Sequence, residues 1–184
     1  MLKKKGDEPN AVTLSTCGKD LKPSSRVILL KSFSDDGFVF FTNYNSKKSR
    51  DLMENPNCCL NFYWNLPGGL VKSVRIEGSA VKLSEKLSID YFKTRPRESQ
   101  IGAWASAHQS SVLKGGREEM MSNLETARNM FANESIDIPK PDFWGGYNIN
   151  PTKIEFWQGG FGRMHDRLVY SKDSEEWILE RFSP

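Results

Sequence analysis

RVILLKSFSDDGFVFFTN, residues 26–43, holds two apolar runs around an acidic turn. Arg26 to Phe33 is β-branched and aliphatic, and Phe38 to Asn43 is largely aromatic. Asp35-Asp36-Gly37 between them gives the short, glycine-ended turn of a hairpin. Working outward, Ala11 to Cys17 alternates Val12, Leu14 and Thr16 before the turn signal Gly18-Lys19-Asp20, the pattern of a half-buried strand. On the other side, Ser46 is placed to cap a helix from Lys47 to about Glu54, which Asn55-Pro56 stops. Cys58–Trp64 and Val71–Leu83 form a second strand pair, divided by Pro67-Gly68-Gly69. Apolar and charged residues alternate in Val74-Arg75-Ile76-Glu77, so one face of that strand is wet.

The second half is more helical. Ser84 opens a helix carrying Leu87, Ile89, Tyr91 and Phe92, and Pro96 ends it and starts the next. Glu118 to Phe131 has helical spacing, and Ile138-Pro139-Lys140-Pro141 is a stiff connector. Short aromatic strands follow around Tyr147, Phe156, Val169 and Trp177. The mixture predicts an α+β chain, mainly β: an antiparallel barrel with peripheral helices. Residues 1–10 read as a flexible N-terminal segment and 11–184 as a single domain.

The 184 residues are 38% hydrophobic and 27% charged, which fits a soluble globular protein and excludes disorder. The longest strictly aliphatic or aromatic runs are four residues, Val27–Leu30 and Phe38–Phe41, far short of the roughly 20 a spanning helix needs. No apolar segment backs Lys3-Lys4-Lys5, so the start does not read as a secretory signal. A net charge of +3 is too mild to call for nucleic acid or a membrane surface. The three cysteines include the adjacent pair Cys58 and Cys59, which point to opposite faces of a strand and suit a reduced, cytoplasmic compartment. No Cys/His cluster suggests a metal, and no Walker, Rossmann or nucleophile-elbow motif is present.

What stands out is cations set beside hydroxyl and amide donors, an oxyanion-binding pattern. Arg26 and Lys31 flank Val27-Ile28-Leu29-Leu30. Thr42, Ser46, Lys47 and Lys48 surround a helix start, where free N–H groups and the dipole favour phosphate. Tyr91, Arg95 and Ser99 are spaced by four, with Pro96 biasing Arg95 away from helical geometry. Residues 157–167, WQGGFGRMHDR, put Arg163, His165 and Arg167 after a glycine-rich bend, on one face if the run is extended. Each has a plainer reading taken alone: solvated lysines, a snorkelling arginine, a packed tyrosine or tryptophan. Gln109-Ser110 alone reads as a loop or cap. Together they imply a protein that binds one or more phosphorylated ligands.

In order along the chain these residues resemble the pyridoxine (pyridoxamine) 5′-phosphate oxidase family. The matching stretches include SRVILLK (25–31), FFTN (40–43), SKK (46–48), FYW (62–64), VRIEG (74–78), RP (95–96), SQIGA (99–103), HQSS (108–111), WGGY (144–147), EFWQG (155–159), RMHDR (163–167) and ERFSP (180–184). The resemblance implies an FMN-binding split β-barrel that works as a homodimer with FMN at the subunit interface. It implies oxidation of pyridoxine 5′-phosphate and pyridoxamine 5′-phosphate to pyridoxal 5′-phosphate, by hydride transfer to FMN and reoxidation by molecular oxygen.

Carried over residue by residue, it implies FMN contacts from Arg26, Val27, Ile28, Leu29, Phe41, Thr42, Lys47, Lys48, Gln109, Ser110, Trp157 and Arg167. It implies substrate contacts from Lys31, Tyr91, Arg95, Ser99, Arg163, Met164 and His165, with Arg163 and His165 nearest the chemistry. Four departures from the family pattern are visible. Ser73 stands where a flavin-contacting Gln is usual, after a longer connection, and Gly162 stands where Asn is frequent. Ala103–His108 is one residue longer than usual, and the segment before Ala11 is short. Two other readings stay open at this level: a divergent split-barrel flavoprotein that binds FMN or pyridoxal 5′-phosphate with little turnover, and a binding module using its basic face.

Overall fold

The run from Arg26 to Phe33 is not one strand. In this computed structural model, which describes residues 8–174 and 176–184, it breaks at Leu30-Lys31. The strands are β1 (Ala11–Cys17), β2 (Pro23–Leu29), β3 (Ser32–Ser34), β4 (Gly37–Asn43), β5 (Asn57–Asn65), β6 (Val71–Lys82), β7 (Trp144–Gln158), β8 (Asp166–Asp173) and β9 (Glu176–Arg181). The helices are α1 (Lys47–Glu54), α2 (Glu85–Lys93), α3 (Arg97–Ala105) and α4 (Gly116–Met130). The sheet order is β2-β1-β5-β6-β7-β4-β3, all antiparallel, with β8 added to β7 and β9 to β8. The two ends of the order, β2 and β3, are therefore halves of one sequence run. Leu30 N–H donates to Asn10 O on one side and Lys31 N–H to Val39 O on the other, both at 2.9 Å. This kink closes the sheet into a barrel through the chain itself. The acidic turn makes the expected hairpin, but a short one: only Ser32–Ser34 pairs with Gly37–Val39.

Alternation explains the interior. Val12, Leu14, Phe40, Leu60, Ile76 and Ile149 point inward and are at most 1% exposed. Each such burial contributes about 1.5–3 kcal/mol. Helix α1 covers one end, with Ser49, Asp51 and Leu52 buried. Its cap differs from expectation: Ser46 occupies the cap position, but its Oγ donates to Asn43 O at 2.7 Å and to Ser49 Oγ at 3.3 Å and accepts from no first-turn backbone N–H. Of the first-turn N–H groups, Ser49 N–H donates to Ser46 O at 3.1 Å, and the others are left for partners outside the helix.

Tyr147 and Phe156 do not mark separate short strands. Both lie in β7, 15 residues long, which pairs with β4 through its first half, β8 through its second, and β6 along most of its length. Pro151 faces Gly78 and Lys153 faces Glu77, so Thr152 is an extra residue, a bulge. Gly78 permits it: a Cβ there would lie 2.3 Å from Asn150 O.

A second core, Phe92, Ile101, Ala103, Ala127, Ile138 and Trp144, joins α2, α3 and α4 to the start of β7. Of the N-terminal segment 1–10, residues 1–7 lie outside the described residues. Pro9 O accepts from Trp64 Nε1, and Asn10 Nδ2 donates to Leu30 O. The cysteines are free, and burial pushes the Cys58 thiol up to about 12. No helix among the described residues is long and apolar enough to cross a membrane.

Candidate functional site

The β4–α1 junction gathers cations around a helix start. From β2, Arg26 donates to Leu14 O (3.1 Å), Thr16 Oγ1 (2.8 Å) and Ser24 Oγ (2.6 Å), and its Nη2 lies 4.0 Å from Asp51 Oδ2. Asp51 also accepts from Lys47 Nζ (2.9 Å) and Thr16 Oγ1 (2.7 Å). Burial pulls the Asp51 carboxyl upward, but these hydrogen bonds and the Lys47 and Arg26 charges outweigh it and hold it below its usual value. Lys48 Nζ donates to Thr42 Oγ1 at 3.1 Å. Burial, and then repulsion from Arg26, lowers the Lys48 pKa. Lys47 N–H donates to Ser110 Oγ at 3.2 Å, which brings the residue 109–110 loop onto the helix start. Cations desolvated and pressed together in this way are relieved by an anion.

The α2–α3 corner holds the second group. Pro96 ends the path of α2, as expected, and leaves Arg95 at the bend. The Arg95 guanidinium carbon lies 4.7 Å from the Trp144 ring centroid and 5.4 Å from that of Phe92. Its Nη1 is buried with no hydrogen-bond partner among the described residues. Burial lowers its pKa. Tyr91 stacks on Phe41 at 3.8 Å and Ser99 is half-buried in the first turn of α3. Gln100 Nε2 clamps the corner by donating to Phe92 O at 2.9 Å. A buried charged donor left unpaired costs about 1–3 kcal/mol or more, so this corner is built for an acceptor.

The third group sits at the far end of β7. Register aligns Tyr63, Ser73, Trp157 and Arg167 in one row across β5, β6, β7 and β8, and Asn61, Arg75, Glu155 and Val169 in the next. Asn61, Ser73, Trp157 and Arg167 line a cavity of about 420 Å³. Glu155 is buried and accepts from Arg167 Nε and Arg75 Nη2, both at 2.6 Å. The Arg167 hydrogen bond, aided by the Arg75 charge and opposed by burial, keeps the Glu155 carboxyl below its ordinary value. The His165 ring lies 4.8 Å from Trp157, and its Nδ1 accepts from Gly160 N–H at 3.2 Å.

The extended face expected for Arg163, His165 and Arg167 does not form. Phe161–Arg163 is a single 3₁₀ turn in which Arg163 has φ +64°, so Arg163 and Met164 project into solvent, apart from Arg167 in β8. A Cβ on Gly160 would meet Met164 O at 1.9 Å, so the chain reverses too tightly there for any side chain.

The structure thus brings Arg26, Thr42, Lys47, Lys48 and Ser110 together, with Phe41 leading on to Tyr91 and Arg95. It brings Trp157, His165 and Arg167 together elsewhere. Val27 and Leu29 are exposed on β2, Ile28 packs against the core, and Lys31 and Gln109 are exposed. No hydrogen bond, ion pair or ring contact among the described residues joins the two assemblies within one chain. Trp144 and Trp157 lie at opposite ends of β7, roughly 40 Å apart along the path of that strand. Sequence reasoning gave no role to Asp51, Trp144 or Glu155. Asp51 had a signal, four residues after Lys47 on a helix. Trp144 and Glu155 had none beyond their motifs, because only cross-strand register reveals their partners.

Comparison with known proteins bears on both assemblies. Residues 3–131 match the family described as pyridoxamine 5′-phosphate oxidase, and residues 144–184 match the C-terminal dimerisation region described for pyridoxine 5′-phosphate oxidase. The chain is 49% identical over 177 residues to pyridoxine/pyridoxamine 5′-phosphate oxidase 2 of Hydrogenovibrio crunogenus, covering 96% of this chain and 80% of that one. It is 50% identical over 187 residues to pyridoxine-5′-phosphate oxidase of Dictyostelium discoideum, covering 100% and 78%. Among solved structures, PhzG from Burkholderia lata, in complex with tetrahydrophenazine-1-carboxylic acid, superposes with a TM-score of 0.86 at 29% identity, covering 97% of this chain and 84% of that one.

Proposed function

The chain belongs to the pyridoxamine 5′-phosphate oxidase family, and from that premise we propose how its residues divide the work of oxidising a phosphorylated pyridine. The activity is the FMN-dependent conversion of pyridoxine 5′-phosphate and pyridoxamine 5′-phosphate to pyridoxal 5′-phosphate. FMN, when bound, would supply the hydride-accepting chemistry for this conversion. The residues present suit that cofactor. Arg26, Lys48, Thr42, Ser110 and the first turn of α1 offer cations and donors for its phosphate. Trp157 and Arg167 line a cavity that suits its ring.

The observation that carries the substrate assignment is the buried, unpartnered Nη1 of Arg95 above Trp144. With Tyr91 and Ser99 at the same corner, it would hold the substrate's phosphate monoester, to which the exposed Lys31 would add its charge. Arg163 and His165 would orient the pyridine ring and stabilise charge as the hydride leaves. Within one chain no hydrogen bond, ion pair or ring contact among the described residues joins the two assemblies, and Trp144 and Trp157 stand at opposite ends of β7. Each site would therefore draw the α1 and α2–α3 groups from one protomer and the β7–β8 groups from its partner, with FMN at the interface of the homodimer. Molecular oxygen would be the final acceptor, giving hydrogen peroxide.

The test is reconstitution with FMN followed by oxygen consumption and the appearance of pyridoxal 5′-phosphate with each vitamer. Uptake of FMN and turnover of at least one substrate is expected. A yellow protein that consumes no oxygen with either would overturn the oxidase reading.

A further inference from the structure

We propose that Asn61, oriented by Ser73, is a cofactor-contacting residue that reads the hydrogen-bonding edge of the flavin ring; the proposal rests on the oxidase reading above. Ser73 Oγ donates to Asn61 Oδ1 at 3.1 Å across the β5–β6 pair. A hydroxyl donor fixes which end of the amide is oxygen, so Asn61 Nδ2 carries its two hydrogens on the other side. Among the described residues those hydrogens have no acceptor. Both residues line the cavity that also holds Trp157 and Arg167.

The register gives the arrangement its sense. Ser73 directly faces Trp157, which faces Arg167, while Asn61 stands one row back on β5, on the same face of the sheet. With strands about 4.8 Å apart and the two rows roughly 7 Å apart, Asn61 and Arg167 sit roughly 16 Å from each other across the cavity floor. A flat ring of tricyclic length fits that span. One end meets an amide and a hydroxyl, and the other a guanidinium held by Glu155. The pyrimidine end of a flavin alternates carbonyl acceptors with an N–H donor. The Asn61 amide hydrogens and the Ser73 lone pairs supply the complement. Neither residue is needed for packing: Asn61 is exposed, and Ser73 is a small residue on the outer face of the barrel.

A donor at that edge stabilises the negative charge the ring gains on reduction, so its loss weakens binding and lowers the midpoint potential. Asn61→Leu removes the amide at similar volume, and Ser73→Ala frees the amide to rotate while leaving it in place. FMN affinity of the full chain is measured by quenching of flavin fluorescence, and the midpoint potential by reductive titration against reference dyes. Asn61→Leu is expected to raise the FMN dissociation constant about three- to tenfold, the range for one net hydrogen bond, and to lower the potential. Ser73→Ala is expected to do the same to a smaller degree, and the melting temperature of the FMN-free protein is expected to be unchanged in both. Wild-type affinity and potential in both variants would overturn the proposal alone. A wild-type chain that takes up no FMN would overturn the oxidase reading and this proposal with it.

Discussion

Arg95 concentrates the energetics of the candidate site in one side chain. Its guanidinium is partly desolvated against Trp144 and one nitrogen lacks any partner among the described residues, so in the proposed site a phosphate would supply the missing acceptor. Arg95→Leu should raise the KM for either phosphorylated vitamer roughly 10- to 150-fold, the worth of a charge-assisted bond. It should leave the melting temperature of the ligand-free protein equal to or above wild type, because a half-buried cation with one unpartnered nitrogen is gone. Steady-state kinetics beside thermal unfolding check both halves, and a clear loss of stability would contradict the account. Arg163 sits at the other extreme, exposed on a 3₁₀ turn. Arg163→Ala should lower kcat on the order of 100-fold, as for loss of a charge-stabilising donor, while FMN titration shows unchanged affinity. Sequence pattern could name both residues but not this contrast. Burial beneath Trp144 comes from a strand about fifty residues downstream, and the positive φ at Arg163 follows from the tight reversal at Gly160.

Cross-strand register does at the level of elements what spacing could not. β1, α1, β4 and β5 were legible because each carries its own period and stop signals. β7 was not, because Pro151 and the bulge at Thr152 interrupt its alternation and make one strand look like two. The ionic row Arg75–Glu155–Arg167 exists only because β6, β7 and β8 align. Glu155 there is held below its unfolded pKa of about 4.3, chiefly by Arg167. A depressed carboxylate stabilises fully above the unfolded value and ceases to do so as pH falls through the folded one. Glu155→Gln should therefore be less stable than wild type at neutral pH, with the gap narrowing as the pH drops below about 4. Urea unfolding at stepped pH measures it, and a gap that stays constant into strong acid would show that the carboxylate charge is not responsible.

At the scale of the molecule the proposed site is divided between two copies, and the C-terminal strands leave Trp177, Ile178 and Leu179 each at least 40% exposed. If two copies complete each site, FMN retention must depend on protein concentration. Dilution through the dimer dissociation range should release flavin in parallel with loss of dimer, followed by flavin fluorescence and sedimentation. Flavin retained by monomers would contradict the two-copy site. The extra residue at Thr152 then acquires a meaning beyond local irregularity. It is inserted without changing which face its neighbours occupy, because Pro151 still matches Gly78 and Lys153 still matches Glu77. Deleting it would keep every side chain on its present side while flattening the bend. Such a chain would fold and pair, yet aim its arms at the wrong angle, like callipers with a bent jaw.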